Sequence, residues 1–222
     1  MAKLSASILS ADLAHLADQV RLVEPYADVI HVDVMDGRFV PPLTFGPIVV
    51  AALRRVTARQ LHGHLQVETP TPLFAELAEA GMDTVSFHLE AVADPAPVIA
   101  AARAAGLRVG VAVSPATPIE RAVPLLDELD DVIVMSVQPG WAGQPFLPSS
   151  LPKVRTVRAE LERRGLRADV EIDGGITPAN ARRALDAGAN VLVAASAIFQ
   201  ATDVAAAARE LAGIAAMEGT HA

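Results

Sequence analysis

The sequence predicts an α/β protein of the closed (β/α)8 barrel class, and three observations carry that prediction. Short β-branched runs alternate with longer Ala/Leu-rich segments eight times along the chain, at roughly 25-residue spacing, which implies a parallel sheet with right-handed crossovers. Hydrophobic residues make up 52 % of the chain but aromatics only 4 %, an excess of Ala, Val and Leu that suits helices packed on a buried parallel sheet. No linker or composition break interrupts the 222 residues, so the expectation is one barrel domain over 1–222, since such barrels run to roughly 200–250 residues. No G-x-G-x-x-G follows the first strand-like run, which counts against an open dinucleotide-binding sheet.

Each element has its own signal. The first strand-like run, Lys3–Leu9, is followed by apolar residues at helical spacing, Leu13, Leu16, Val20 and Val23. Val29–Val34 is the second run and Leu61–Val67 the third. After the third comes Thr71-Pro72, a capping hydroxyl ahead of a proline suited to the first helical position. Leu73, Leu77 and Ala80 continue that helix to a stop at Ala80-Gly81. Thr84–Leu89 leads to a helix ending at Ala105-Gly106, and Arg108–Val113 to one predicted to start at Thr117-Pro118. Asp131–Val137 precedes a helix that stops at Arg164-Gly165. Asp169–Asp173 precedes one that runs from Thr177-Pro178 to Ala187-Gly188, and Asn190–Ala194 is the eighth run.

Composition excludes several classes of function. There are no cysteines, which removes disulfides, thiolate metal sites and thiol nucleophiles together. Lys plus Arg is 18 and Asp plus Glu 26, a formal charge of −8. An acidic surface disfavours nucleic acid and anionic membranes, which need a basic patch. Asp12 and His15 interrupt the N-terminus too early for a signal-peptide core. The longest apolar stretches fall far short of the ~20 residues a bilayer requires. A cytoplasmic protein with no nucleic-acid or membrane partner is the expectation.

Barrel active sites sit at the C-terminal ends of the strands, so polar residues there carry the chemistry. In the second run, alternation puts His31, Asp33 and Met35 on one face; in the third it puts His62, His64 and Gln66 together. The seventh ends in Asp173-Gly174-Gly175. Imidazoles and carboxylates inside apolar strands are costly unless paired, hydrogen-bonded or metal-bound. His31, Asp33, His64 and Asp173 can converge on one divalent cation as an N2O2 set suited to Zn, Fe, Mn or Co; satisfied core histidines and turn-capping aspartates are the bland alternative. His62 and His88 read as supporting or structural, His15 as helix surface and His221 as tail. Glycine-containing turns follow the last three runs: Gly140-Trp141-Ala142-Gly143, Gly174-Gly175 and Ala195-Ser196. At adjacent strand ends they favour a backbone phosphate cradle.

Ser5 to Asp12, His31-Val32-Asp33-Val34-Met35-Asp36-Gly37-Arg38-Phe39-Val40-Pro41, Pro139-Gly140 with Gln144-Pro145-Phe146, and Asp173-Gly174-Gly175-Ile176 closely resemble the ribulose-phosphate 3-epimerase family across essentially the whole chain. The resemblance implies a ribulose-phosphate-binding (β/α)8 barrel, a homo-oligomer, that uses one divalent metal to interconvert D-ribulose 5-phosphate and D-xylulose 5-phosphate. Position by position it implies His31, Asp33, His64 and Asp173 as metal ligands and Asp33 and Asp173 as the acid/base pair. It also implies Ser7, His64, Gly140, Trp141, Ala142, Gly143, Gly174, Gly175, Ala195 and Ser196 as substrate-contacting, with Met35, Gln66 and Met135 as pocket wall. Gln66, Ser114, Ala142 and Ala195 depart from the family pattern, at positions expected near sugar carbons and phosphate. They motivate a second reading, 3-epimerisation of another ketose phosphate such as D-allulose 6-phosphate. A lyase or decarboxylase on a related barrel would place a lysine among its carboxylates, and the only lysines are Lys3 and Lys153. A non-catalytic phosphosugar-binding barrel is the reading of a different class, and four retained ligand positions argue against it.

Overall fold

The computed structural model describes residues 1–217; His221 and its neighbours lie outside the described residues. Eight strands form a closed parallel barrel in sequence order: β1 (Lys3–Ser7), β2 (Val29–Met35), β3 (Gln60–Gln66), β4 (Thr84–His88), β5 (Arg108–Val113), β6 (Asp131–Met135), β7 (Asp169–Asp173) and β8 (Val191–Ala194). β8 closes on β1 with Ala6 opposite Ala194. Around them run α1 (Leu16–Val23), α2 (Pro47–Arg54), α3 (Phe74–Glu79), α4 (Ala96–Ala104), α5 (Leu151–Arg164), α6 (Pro178–Asp186), α7 (Ser196–Phe199) and α8 (Val204–Ala216). The four cap glycines expected at helix stops all take positive φ, from 69° at Gly165 to 105° at Gly188.

Three local expectations need correction. Ahead of α1, Leu13–His15 forms a 3-10 turn instead of helix, capped by the Asp12 carboxylate on the Ala14 N–H at 3.0 Å, and Leu13 is exposed. Thr71 does not cap α3: it sits inside a 3-10 turn whose preceding residue is Pro70. No α-helix follows Thr117-Pro118. The crossover from β5 to β6 is two 3-10 segments, Ile119–Arg121 and Val123–Glu128. Pro124 explains the difference, because it has no N–H to give, its ring meets the carbonyl four residues back, and it biases Val123 away from helix. At Thr177 the helix start stands where expected, with Pro178 opening α6, and the Thr177 N–H donates to Asn180 Oδ1 at 2.9 Å.

The main apolar core lies between sheet and helices, where Val32 and Val34 of β2 join Val109, Val111, Val132 and Val170. Inside the barrel the apolar cluster is small: Ala112, Ile133, Met135 and Val137. Barrel interiors are ordinarily packed with branched aliphatic side chains. Here much of the interior is polar and buried, with Ser5, Ser7, His31, Asp33, His62, His64, Ser86, His88, Asp131 and Glu171 all at 3 % exposure or less.

The lower polar layer is knitted across the barrel. His62 Nδ1 lies 3.1 Å from Glu171 Oε1, its Nε2 lies 2.8 Å from Ser86 Oγ, and that hydroxyl donates to Asp131 Oδ2 at 2.7 Å. Burial works against a charge on His62, but Glu171 and Asp131 outweigh it and push the ring up to about 9. Burial pushes the Asp131 carboxyl up to about 7, only partly offset by His62. Asp131 therefore inverts the usual carboxylate behaviour. Its folded value lies above the ordinary 3.8, so its contribution to stability is complete below about pH 4 and is lost as the pH rises to about 7. Asp131→Asn, which cannot ionise, is expected to gain on wild type in Tm through that window. Tm curves that stay parallel from pH 4 to 8 contradict this.

Candidate active site

Strand register assembles the upper layer. Asp33 on β2 stands opposite His64 on β3, Ser7 on β1 opposite His31, and Met135 on β6 opposite Asp173 at the end of β7. His64 Nδ1 lies 3.1 Å from Asp33 Oδ1 and 3.3 Å from Asp173 Oδ2. His31 Nε2 lies 3.4 Å and 3.9 Å from the same two atoms. One donor atom from each of His31, Asp33, His64 and Asp173 falls within 4.8 Å of the others. Metal–ligand bonds of about 2.0–2.2 Å place donor atoms roughly 3–3.5 Å apart, so the spacing fits a divalent cation. His31 supplies independent support, because both its ring nitrogens are buried without a hydrogen-bond partner, a costly state for an imidazole that holds nothing.

The electrostatics agree. Burial opposes a charged His64, yet hydrogen bonds to Asp173 and Asp33 and the charge of both carboxylates push it up to about 10. Burial likewise opposes an ionised Asp33, but His31 and His64 hold it well below the usual carboxylate range. The buried Asp33 and the half-buried Asp173 thus converge on His64 Nδ1, an arrangement suited to a cation. Ser7 Oγ donates to Asp33 Oδ2 at 2.6 Å and Gln66 Nε2 to Asp33 Oδ1 at 3.0 Å, so Asp33 is held from both sides.

Above this layer a pocket of about 470 Å³ of empty space, part of it open to solvent, is lined by nearly every residue singled out in the sequence. Ser7, Asp33, Met35, Gln66, Met135 and Asp173 line its floor and walls; Gly140, Trp141, Ala142, Gly143, Gly174, Gly175, Ala195 and Ser196 bring the turns after β6, β7 and β8 to it. His31 and His64 are fully buried and absent from the lining, so they reach the pocket only through the donor cluster. Ser114 is the exception among the four departures. It does not line the pocket; the chain turns away after β5, and its hydroxyl sits 3.3 Å from His88 Nδ1 while its N–H donates to Glu90 Oε1 at 2.9 Å. Gln144, part of the resemblance but given no role by it, donates its amide to the carbonyls of Gln138 at 2.7 Å and Trp141 at 2.8 Å and so folds the loop over the pocket. Its place beside Gly143 was the available signal.

His88 stands behind His64, Nε2 to Nε2 at 2.9 Å, with its Nδ1 3.0 Å from Glu90 Oε2. Burial pushes His88 down to about 4, against the pull of Glu90, so its ring is neutral.

Comparison with known proteins fits this geometry. The family model of the ribulose-phosphate 3-epimerase family matches residues 3–199. The chain belongs to that family. It is 45 % identical over 208 residues to a Mycobacterium tuberculosis protein named ribulose-phosphate 3-epimerase, covering 94 % of this chain and 90 % of the relative. A Synechocystis protein of the same name is 43 % identical over 202 residues, covering 90 % and 88 %. Among solved structures, 3-hexulose-6-phosphate synthase from Salmonella typhimurium aligns over 96 % of this chain and 98 % of its own with a TM-score of 0.73 at 22 % identity, a likeness of fold. Within this epimerase family the His31, Asp33, His64 and Asp173 cluster is the donor set to be explained.

Proposed function

We propose that the chain, as one barrel domain over residues 1–222, is a metal-dependent isomerase that interconverts D-ribulose 5-phosphate and D-xylulose 5-phosphate. The observation that carries this reading is the pair of carboxylates, Asp33 and Asp173, set on either side of the His64 Nδ1 at 3.1 and 3.3 Å on the floor of an open pocket. Inverting a carbon beside a ketone requires a proton to leave one face and another to arrive on the opposite face. One base tends to return the proton whence it came; two carboxylates do not. A divalent ion held by His31, Asp33, His64 and Asp173 supplies Lewis-acid stabilisation of the charge that develops on the substrate oxygens, and Zn, Fe, Mn and Co all suit the donor set.

The remaining steps belong to the chain's own groups. Of Asp33 and Asp173, one takes the C3 proton and the other delivers one to the opposite face, with the roles exchanged in the reverse direction. Ser7 and Gln66 keep Asp33 from rotating away. Met35 and Met135, 3 % and 2 % exposed, give the carbon skeleton a soft, water-poor wall. The turns at Gly140–Gly143, Gly174-Gly175 and Ala195-Ser196 suit the phosphate, whose binding energy then orients the sugar.

The relatives' names favour the five-carbon substrate over D-allulose 6-phosphate, and the complete donor set favours catalysis over mere sugar binding. Among the described residues no helix is long and apolar enough to cross a membrane. A cytoplasmic homo-oligomer completes the reading, and light scattering on the purified protein tests its association. The reaction is tested by proton NMR in D2O with metal-loaded protein and each ketose phosphate separately. Loss of the C3 proton signal of D-ribulose 5-phosphate, with D-xylulose 5-phosphate appearing, is the expected result. Exchange with the hexulose phosphate alone, or with neither, overturns it.

A further inference from the structure

Outside the lining of the pocket, His64 opens a directional chain of four groups, of which His88, Glu90 and Ser114 have no part in the proton transfer. His64 Nε2 faces His88 Nε2 at 2.9 Å, His88 Nδ1 faces Glu90 Oε2 at 3.0 Å, and Glu90 Oε1 accepts the Ser114 N–H at 2.9 Å. The Phe39 ring lies 4.8 Å from that of His88, centroid to centroid, and covers it. Lys153 Nζ donates to the carbonyls of Ser114 at 3.0 Å and Pro115 at 2.8 Å, which pins the loop carrying the last link.

The direction of this chain follows from which atoms can donate. A carboxylate only accepts, so His88 Nδ1 carries a proton and gives it to Glu90. A neutral imidazole with Nδ1 protonated has a bare Nε2, which must accept. The facing atom, His64 Nε2, must then be the one that carries hydrogen. The only place left for the lone pair of a neutral His64 is Nδ1, the atom that lies between Asp33 and Asp173.

We propose that His88 and Glu90 are positioning residues that fix the tautomer of His64, so that its Nδ1 lone pair is presented to a divalent cation. The Ser114 N–H, held by the Lys153 clamp, fixes Glu90 in turn, which gives Ser114 a place in the site although it does not touch the pocket. This rests on the reading of His31, Asp33, His64 and Asp173 as a metal set. Supporting partners of metal-bound histidines typically change metal affinity about 10–100-fold when removed.

The test uses the full chain and Zn2+ or Mn2+ alone, titrated against a competing chelator, with no substrate present. His88→Leu removes the acceptor, and its metal affinity is expected to fall about 10–100-fold. His88→Gln offers a side-chain carbonyl to the His64 N–H and is expected to recover most of that loss. Independently, 15N spectra of histidine-labelled wild type loaded with Zn2+ are expected to show one ligating histidine with Nε2 protonated and Nδ1 bound. That measurement stands even if His88→Leu does not fold. One metal bound per wild-type chain with unchanged affinity in a folded His88→Leu variant overturns the proposal alone, as does His64 ligating through Nε2. A wild type that binds neither metal overturns the metal reading and the proposal with it.

Discussion

Asp33→Asn and Asp173→Asn are each expected to lower kcat for epimerisation by about 10³-fold or more, the upper range for loss of a positioned acid or base, while the barrel stays folded. The amide is nearly isosteric with the carboxylate and can still accept from Ser7 Oγ, which lies 2.6 Å from Asp33 Oδ2, so packing survives and proton transfer does not. A sharper outcome follows from the two-face geometry. A variant with one carboxylate can still remove the C3 proton of the epimer whose hydrogen faces it, and return solvent deuterium to the same face. Each variant should therefore exchange the C3 proton of one pentulose phosphate without inverting it, and the two variants should differ in which one. Metal content and Tm measured alongside separate this from loss of a ligand. Inversion within about tenfold of wild type in either variant removes that carboxylate from the pair.

The strands were legible because β-branched runs and cap glycines are local signals. The donor set was legible because an imidazole and a carboxylate on the same face of an apolar strand, as with His31 and Asp33, have few inexpensive explanations. What escaped is what depends on long-range partners. Asp131 and Glu171 read as ordinary strand residues, since alternation says which face a side chain takes but not that His62, on the far side of the barrel, stands within 3.1 Å of Glu171. His88 read as supporting at most, because a lone histidine carries no sign of Glu90 behind it or His64 ahead. Ser114 read as a pocket residue because its position in the chain was visible and the turn after β5 was not. The missing helix between β5 and β6 was open to reading in Pro124, which the Thr117-Pro118 start signal leaves out of account.

Gly174→Ala and Gly175→Ala are expected to cost both stability and activity, and more than a substrate-binding role alone would explain. Gly174 has φ 121°, and a Cβ there would run into Val137 Cγ2 and stand 2.9 Å from the Val137 backbone nitrogen. Gly175 has φ 64°, and its Cβ would meet the Phe146 nitrogen at 2.6 Å and the Gln144 carbonyl at 2.7 Å. A side chain at such φ costs roughly 1–3 kcal/mol, and the clash adds a cost of the order of 1–3 kcal/mol for overpacking. The Gly175 contacts are main chain and cannot rotate aside. The turn they form is also a joint: the Ser136 N–H donates to the Asp173 carbonyl at 2.7 Å and the single Ser136 hydroxyl hydrogen reaches the Gly174 carbonyl at 2.7 Å, which ties the end of β7 to β6. Displacing Gly174 therefore moves Asp173, and displacing Gly175 moves the loop that Gln144 folds. Urea unfolding should show a loss of about 2–6 kcal/mol for each variant. Steady-state assays at low temperature, where both remain folded, should show Gly174→Ala losing mainly kcat through Asp173 and Gly175→Ala mainly raising KM through the loop after β6. Wild-type stability in either variant would mean the backbone yields at this joint, and equal effects on kcat and KM in both would mean the turn acts as one unit instead of two.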